Sequence, residues 1–244
     1  MLIKQIHPSK RIVCFDEFKH IYFMEDKPYI IFTSVTKFIN TYFPKFDFNL
    51  ISLRYAEKNS LDVEEVRQAW KDKTKLGTKV HNYASFLLTR KQIYATISNS
   101  GEEKHYFKQV KQAVKALYFF GLQVECSECI LGDPLWKIGG TTDIILRYQD
   151  SIHIYDWKTS NEIKTENVYQ TALPPIAHLS DTNFNKYSLQ LNLYEYIMRN
   201  NGYFPWAKQF IKRIIHVTPT TYTFIDVPDL QKEIKNMLKM KELT

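Results

Sequence analysis

Gly140-Thr141-Thr142-Asp143 and Tyr155-Asp156-Trp157-Lys158-Thr159 place two carboxylates and one amine on what read as adjacent strands. Carboxylates hold a hard divalent cation through oxygen. A lysine beside them can offset charge that builds on a phosphate. In Ile152-His153-Ile154-Tyr155-Asp156-Trp157-Lys158, alternate side chains share a face, so Asp156 and Lys158 follow Ile152 and Ile154 to one side. Alone, Asp-x-Lys reads as an ion pair that satisfies itself. Asp143 changes that reading, because the hairpin brings it within reach of Asp156. Two carboxylates that close repel unless a cation or proton lies between them. On a basic chain, the set points to metal-assisted cleavage of nucleic acid.

Four other residues join as candidates. His81 follows Gly77 by one helical turn, and a glycine there lets the helix approach the sheet closely. Its imidazole could add a nitrogen to a metal held mostly by oxygen, although alone it reads as a core histidine. Glu128 lies on the strand before the Asp143 hairpin. Gln190 and Tyr194, four apart, share one helical face. Taken alone, these two read as surface residues.

Thirty-three Lys+Arg against 26 Asp+Glu give +7, which fits either plain solubility or a polyanionic partner. Site chemistry favours the partner. Three cysteines make no disulfide framework. Cys126-x-x-Cys129 sits in an apolar strand-like run and is expected to be a pair of packed thiols, in a reducing compartment. The N-terminus has no apolar core of signal-peptide length. No run approaches the roughly 18 apolar residues that span a bilayer. The expected location is intracellular and cytoplasmic (a host cell's, if the chain is viral), with no membrane partner.

The elements that must position these residues follow from periodicity. Residues 10–32 read as short strands around a turn at Glu25-Asp26-Lys27-Pro28. Ser34 opens a short helix from Val35 to Thr41, and Phe43, Phe46 and Phe48 crowd the connection after it. Asp62-Val63-Glu64-Glu65 has capping-box spacing. The basic run Lys71 to Lys75 then separates that helix from a second one, Leu76 to Thr89. Residues 91–101 read as loop with some strand character. Glu102 to Phe120 is an amphipathic helix closed by Gly121. Strands follow at Leu122 to Leu131, Ile138 to Tyr148 and Ser151 to Thr159, then an irregular stretch over 160–186. Tyr187 to Asn200 is a helix, Gln209 to Thr218 a strand, and Asp229 caps a last helix. That order predicts an α/β fold with a mixed central sheet flanked by helices.

In order, Gly77-Thr78-x-x-His81, Glu128, Gly140-Thr141-x-Asp143, Asp156-Trp157-Lys158-Thr159 and Gln190-x-x-x-Tyr194 resemble the PD-(D/E)xK nuclease superfamily. Within it, the likeness is to the RecB-like exonucleases of the phage and mitochondrial genome maintenance group. Thr33-Ser34-Val35-Thr36 is similar to that group's N-terminal region. The sequence departs from the pattern in having no Pro before Asp143, and Asp156 fills the variable acidic position. The resemblance implies a restriction-endonuclease-like core in α-β-β-β-α-β order with an N-terminal hairpin and helical extension. It implies one nuclease domain over 1–244: a DNA-guiding region over 1–75, a core over 76–220 and a C-terminal helix over 221–244. It further implies a Mg²⁺- or Mn²⁺-dependent deoxyribonuclease of replication, repair or recombination, most of all an exonuclease acting on single-stranded DNA or free ends. Asp143, Asp156, His81 and the carbonyl of Trp157 would hold the metal, and Lys158 would act with Asp143 and Asp156 in catalysis. Glu128, Gln190, Tyr194, Thr141 and Thr159 would support them or the DNA. The alternatives are a silent nucleic-acid-binding module on the same fold and an RNA endonuclease. Cys14, Cys126 and Cys129 are too few for a four-cysteine iron–sulfur cluster. The purified protein is therefore expected to be colourless; a brown preparation with visible charge-transfer absorption would contradict this.

Overall fold

A computed structural model describes residues 1–89 and 101–242. The elements are β1 (Leu2–Ile6), β2 (Ile12–Asp16), β3 (Ile21–Met24), β4 (Lys27–Ser34), α1 (Val35–Asn40), α2 (Phe48–Asn59), α3 (Val63–Thr89), α4 (Glu103–Phe119), β5 (Gln123–Asp133), β6 (Ile138–Tyr148), β7 (Ser151–Lys158), α5 (Asn183–Asn201), β8 (Gln209–Val217), β9 (Tyr222–Asp226) and α6 (Gln231–Glu242). The expected α-β-β-β-α-β order is found as α4, β5, β6, β7, α5, β8.

The strands form one mixed sheet in the order β1-β2-β3-β4-β6-β7-β8-β9, with β5 also against β6. Pairs β4–β6 and β7–β8 are parallel, and the others are antiparallel. β7 is central, and every residue from Ser151 to Trp157 is buried, as expected for a strand covered on both faces. One face, with Ile144, Leu146, Tyr155 and Trp157, packs on Val80 and Ala84 of α3 and Val110 and Val114 of α4. The other, with Ile145, Ile152 and Ile154, packs on α1, α5 and α6 through Phe38, Leu189, Leu193 and Ile234. Leu189, Leu193 and Ile197 are each 0–1% exposed and contribute about 2 kcal/mol apiece. That exceeds the net ~1 kcal/mol of a hydrogen bond, so apolar packing, not polar contact, sets where α5 lies.

Four expectations change. The two helices expected around Lys71–Lys75 are one 27-residue helix, α3. Lysines are good helix formers and nothing before Gly77 breaks the run. The expected boundary at 75/76 therefore falls inside α3. Second, Phe48 does not sit in a connection but opens α2, where Asp47 caps the helix by accepting from the Leu50 N–H at 2.9 Å. Third, α5 starts at Asn183, four residues before the expected Tyr187, because Thr182 accepts from the Asn185 N–H at 3.2 Å. Fourth, Cys126 and Cys129, read as packed thiols, are joined as a disulfide within β5. β1 and β9 were not anticipated. Residues 91–100 of the stretch expected as loop lie outside the described residues. No helix among the described residues is long and apolar enough to cross a membrane.

Beneath β7 runs a buried polar chain. His153 bonds Ser151 Oγ through Nε2 at 3.0 Å and the Tyr155 hydroxyl through Nδ1 at 3.0 Å. Burial, helped by the nearby Arg213 charge, pushes His153 down to about 4. A histidine in the unfolded chain titrates near 6.5. Between those values the unfolded chain binds the extra proton, so stability falls as pH falls through the window, by roughly 3 kcal/mol in all. His153→Gln is expected to flatten that part of the profile, measured by urea unfolding at successive pH values.

Candidate functional site

The site forms where the sheet's hydrogen bonding is interrupted. β5 runs along one edge of β6 from Ile138 to Arg147. On the other edge, β4 pairs only at Thr33↔Ile138 and Ser34↔Gly139, and β7 joins only from Ile144↔Tyr155 onward. Gly140 to Asp143 therefore have no strand neighbour on that side. Side chains fill the gap instead. The Tyr194 hydroxyl donates to the Thr141 carbonyl at 2.8 Å. Asp143 Oδ2 accepts the Trp157 N–H at 2.7 Å. Tyr22 reaches Thr141 Oγ1 from β3 at 3.1 Å. A Cβ on Gly140 would lie 2.8 Å from the Tyr194 ring and 3.0 Å from Val35, so only glycine lets α5 and α1 come this close.

Three carboxylates line up across three strands at this point. Ser127↔Ile144 and Cys129↔Thr142 bracket Glu128 opposite Asp143. Asp156 follows Tyr155, which faces Ile144, and so lies opposite Asp143 on the other side. Glu128 has φ +55°, a left-handed conformation that costs energy in a non-glycine residue. His81 comes from α3, with Nδ1 3.3 Å from Asp143 Oδ2. Its helix is close to the end of β7, since a Cβ on Gly77 would meet Thr159 Oγ1 at 3.2 Å. His81, Glu128 and Asp143 offer ligand atoms all within 4.8 Å of one another.

Lys158 closes the other end. Its Nζ is 2.5 Å from Asp156 Oδ2, and it sits over the Tyr187 ring, 4.4 Å from the centroid. Gln190 donates to Asp156 Oδ1 at 3.3 Å. Tyr187, Gln190 and Tyr194 thus form one face of α5. Tyr194 is 2% exposed, which corrects its reading as a surface residue. Tyr187 was missed, although it stands one turn before Gln190 at the same helical spacing. Tyr22 carries no sequence signal, being 119 residues from its partner Thr141. Asp156 lies outside the group of three potential ligands and pairs with Lys158.

The charges are strongly coupled. Burial opposes the charge on His81, but the Asp143 carboxylate outweighs it and lifts the imidazole to about 9. Burial opposes the charge on Asp143 too, and His81, then Lys158, hold it below the usual carboxylate range. Glu128 is exposed as a residue, yet the protein packed around its carboxyl, with Asp143 beside it, pushes it up to about 8. Burial lifts Asp156 to about 6 against the pull of Lys158. Lys158 is lowered by burial and raised further by Asp156 and Asp143, and so stays protonated.

This donor set fits a hard divalent cation. His81, Glu128 and Asp143 supply one imidazole and two carboxylates, and burial, with the neighbouring Asp143 charge, holds the Glu128 carboxyl up.

No family model matches the sequence, and no curated protein matches it. Among solved structures, the chain is similar to SSO0001 at 12% identity and a TM-score of 0.38, covering 86% of this chain and 72% of that one. It is also similar to a Eubacterium rectale protein named "putative exonuclease" at 13% identity and a TM-score of 0.41, covering 90% and 81%.

Because His81 holds a proton up to about 9 and Glu128 up to about 8, a cation bound by them must displace protons. Apparent Mn²⁺ affinity is expected to rise at least about tenfold from about pH 6 to about pH 9. Calorimetry in buffers of different ionisation heat measures the protons released, and Glu128→Gln should release fewer. An affinity indifferent to pH would sink this ligand assignment.

Proposed function

We propose that the chain is a metal-dependent nuclease that hydrolyses phosphodiester bonds of DNA, most of all as an exonuclease on single strands or free ends. One observation carries the reading. Glu128, Asp143 and Asp156 stand in a row across β5, β6 and β7, with His81 at one side and Lys158 at the other, at the gap in the edge of β6.

In this reading Asp143 and His81 hold Mg²⁺ or Mn²⁺, joined by Asp156, by the Trp157 carbonyl and, in an outer position, by Glu128. The cation, when bound, polarises the scissile phosphate and makes a bound water more acidic. Lys158 is held protonated, so it donates rather than accepts a proton. It offsets charge on the phosphate oxygens, and the Tyr187 ring face supports its charge. Gln190 keeps Asp156 oriented, and Tyr194 and Thr141 fix the backbone next to Asp143. Thr159, against Gly77, keeps α3 and with it His81 close to β7. Residues 1–75 serve as a DNA-guiding region and 76–220 as the core, with α3 belonging to both and 221–244 carrying the last helix.

The test is cleavage of end-labelled single-stranded, duplex and circular DNA, and of matched RNA, with Mg²⁺ or Mn²⁺. Lys158→Ala is expected to lower the rate at least about 10²-fold while the protein stays folded and still binds DNA. Asp143→Asn and Asp156→Asn should lose metal-dependent cutting. If all three variants cut like the wild type, the assignment is wrong. Circles cut as fast as linear strands rule out end dependence, and faster cutting of RNA replaces the DNA reading.

A further inference from the structure

Resting on the nuclease reading, we propose that the aromatic cluster around Trp70 is a stacking site for unpaired bases of the substrate strand. Phe46, Phe48 and Tyr55 surround the Trp70 ring at centroid distances of 6.4, 5.7 and 5.8 Å. This is not a closed core. Phe46 is 65% exposed and Tyr55 47%. Tyr55, Leu61, Trp70 and Lys73 line an open cavity, with Glu65 the one carboxylate on its wall.

Two features connect this surface to the candidate site. Trp70 and His81 belong to one unbroken helix, α3. Eleven residues make about three turns, so both side chains leave the same side of α3 about 16 Å apart. Lys73 Nζ also bonds Asn161 Oδ1 at 2.5 Å, which ties this part of α3 to the segment just after Lys158. A strand whose phosphate lies at the carboxylates therefore has the aromatic surface within a few nucleotides.

The chemistry of the surroundings selects the occupant. Lys71, Lys73, Lys75 and Lys79 are exposed; Lys75 pairs with Asp72 and Lys79 with Glu103, which leaves Lys71 and Lys73 as the cations nearest the aromatic surface. Flat uncharged rings linked by anions match aromatic faces flanked by lysines. A duplex hides its base faces in the stack and offers only the anions. The arrangement thus favours a strand with free base faces.

The experiment compares binding of two labelled strands of about twenty nucleotides, oligothymidylate and an abasic strand with the same phosphates, to the full chain in EDTA. Wild type is expected to bind the base-bearing strand about tenfold tighter. Trp70→Ala and Tyr55→Ala should bring the two within about twofold, and Trp70→Phe should keep most of the preference. Added salt should weaken both strands alike. Circular dichroism and melting check each variant; if Trp70→Ala does not fold, Tyr55→Ala decides. Equal binding of the two strands by wild type, or a folded Trp70→Ala that keeps the preference, overturns the proposal. Wild type that prefers bases but cuts nothing keeps the stacking site and removes the nuclease reading. Wild type that cuts but shows no preference does the reverse.

Discussion

Repulsion among three carboxyl groups on adjacent strands is the constraint around which this region is built. Two unit charges within 4.8 Å, the span of the Glu128–Asp143–His81 group, repel by about 3 kcal/mol at an effective dielectric near 20. The protein answers with every positive or donating group it can bring there. His81 leans on Asp143, Lys158 on Asp156, and the Trp157 N–H bonds Asp143. Burial first, and then the neighbouring Asp143 charge, still push Glu128 and Asp156 toward the neutral form. A divalent cation is the natural complement to what remains.

Those groups can converge because β6 is left unpaired between Gly139 and Ile144 on one edge. A continuous ladder there would consume the Trp157 N–H and the Thr141 carbonyl, and the Asp143 and Tyr194 side chains would have nothing to bind. Glycine makes the convergence possible from two directions. Gly140 admits the Tyr194 ring from α5, and Gly77 lets α3 lie against Thr159. A side chain at Gly140 would collide with the Tyr194 ring and force α5, which carries Gln190 and Tyr194, to shift, whereas one at Gly77 would crowd the Thr159 hydroxyl. The positive φ at Glu128, beside the Cys126–Cys129 link, is a further local cost held in place by its surroundings.

Rigidity over a longer distance comes from α3. Its 27 residues unite the aromatic surface around Trp70, the lysine run and His81 on one element packed against α4 and the sheet. Had the lysine run been a loop, the spacing between Trp70 and His81 would vary. As a helix, it fixes both the distance and the facing side.

Much was legible in the sequence itself. Period-two alternation put Asp156 and Lys158 on one face of β7, and the short turn at Gln149-Asp150 set β6 against β7, so the pairing of Asp143 with Asp156 followed from local rules. Gly77 and His81, one turn apart, fixed which side of α3 looks at the sheet. The tertiary structure alone decided the rest, because those contacts join segments that local periodicity cannot relate. Tyr22 on Thr141, Tyr187 over Lys158, the gap in β6 and the position of Glu128 in line with Asp143 all depend on how strands and helices stack after collapse. The length of α3 was misjudged: the lysine run was expected to separate two helices, but lysine propagates a helix well and no breaker interrupts it, so one helix spans Val63–Thr89.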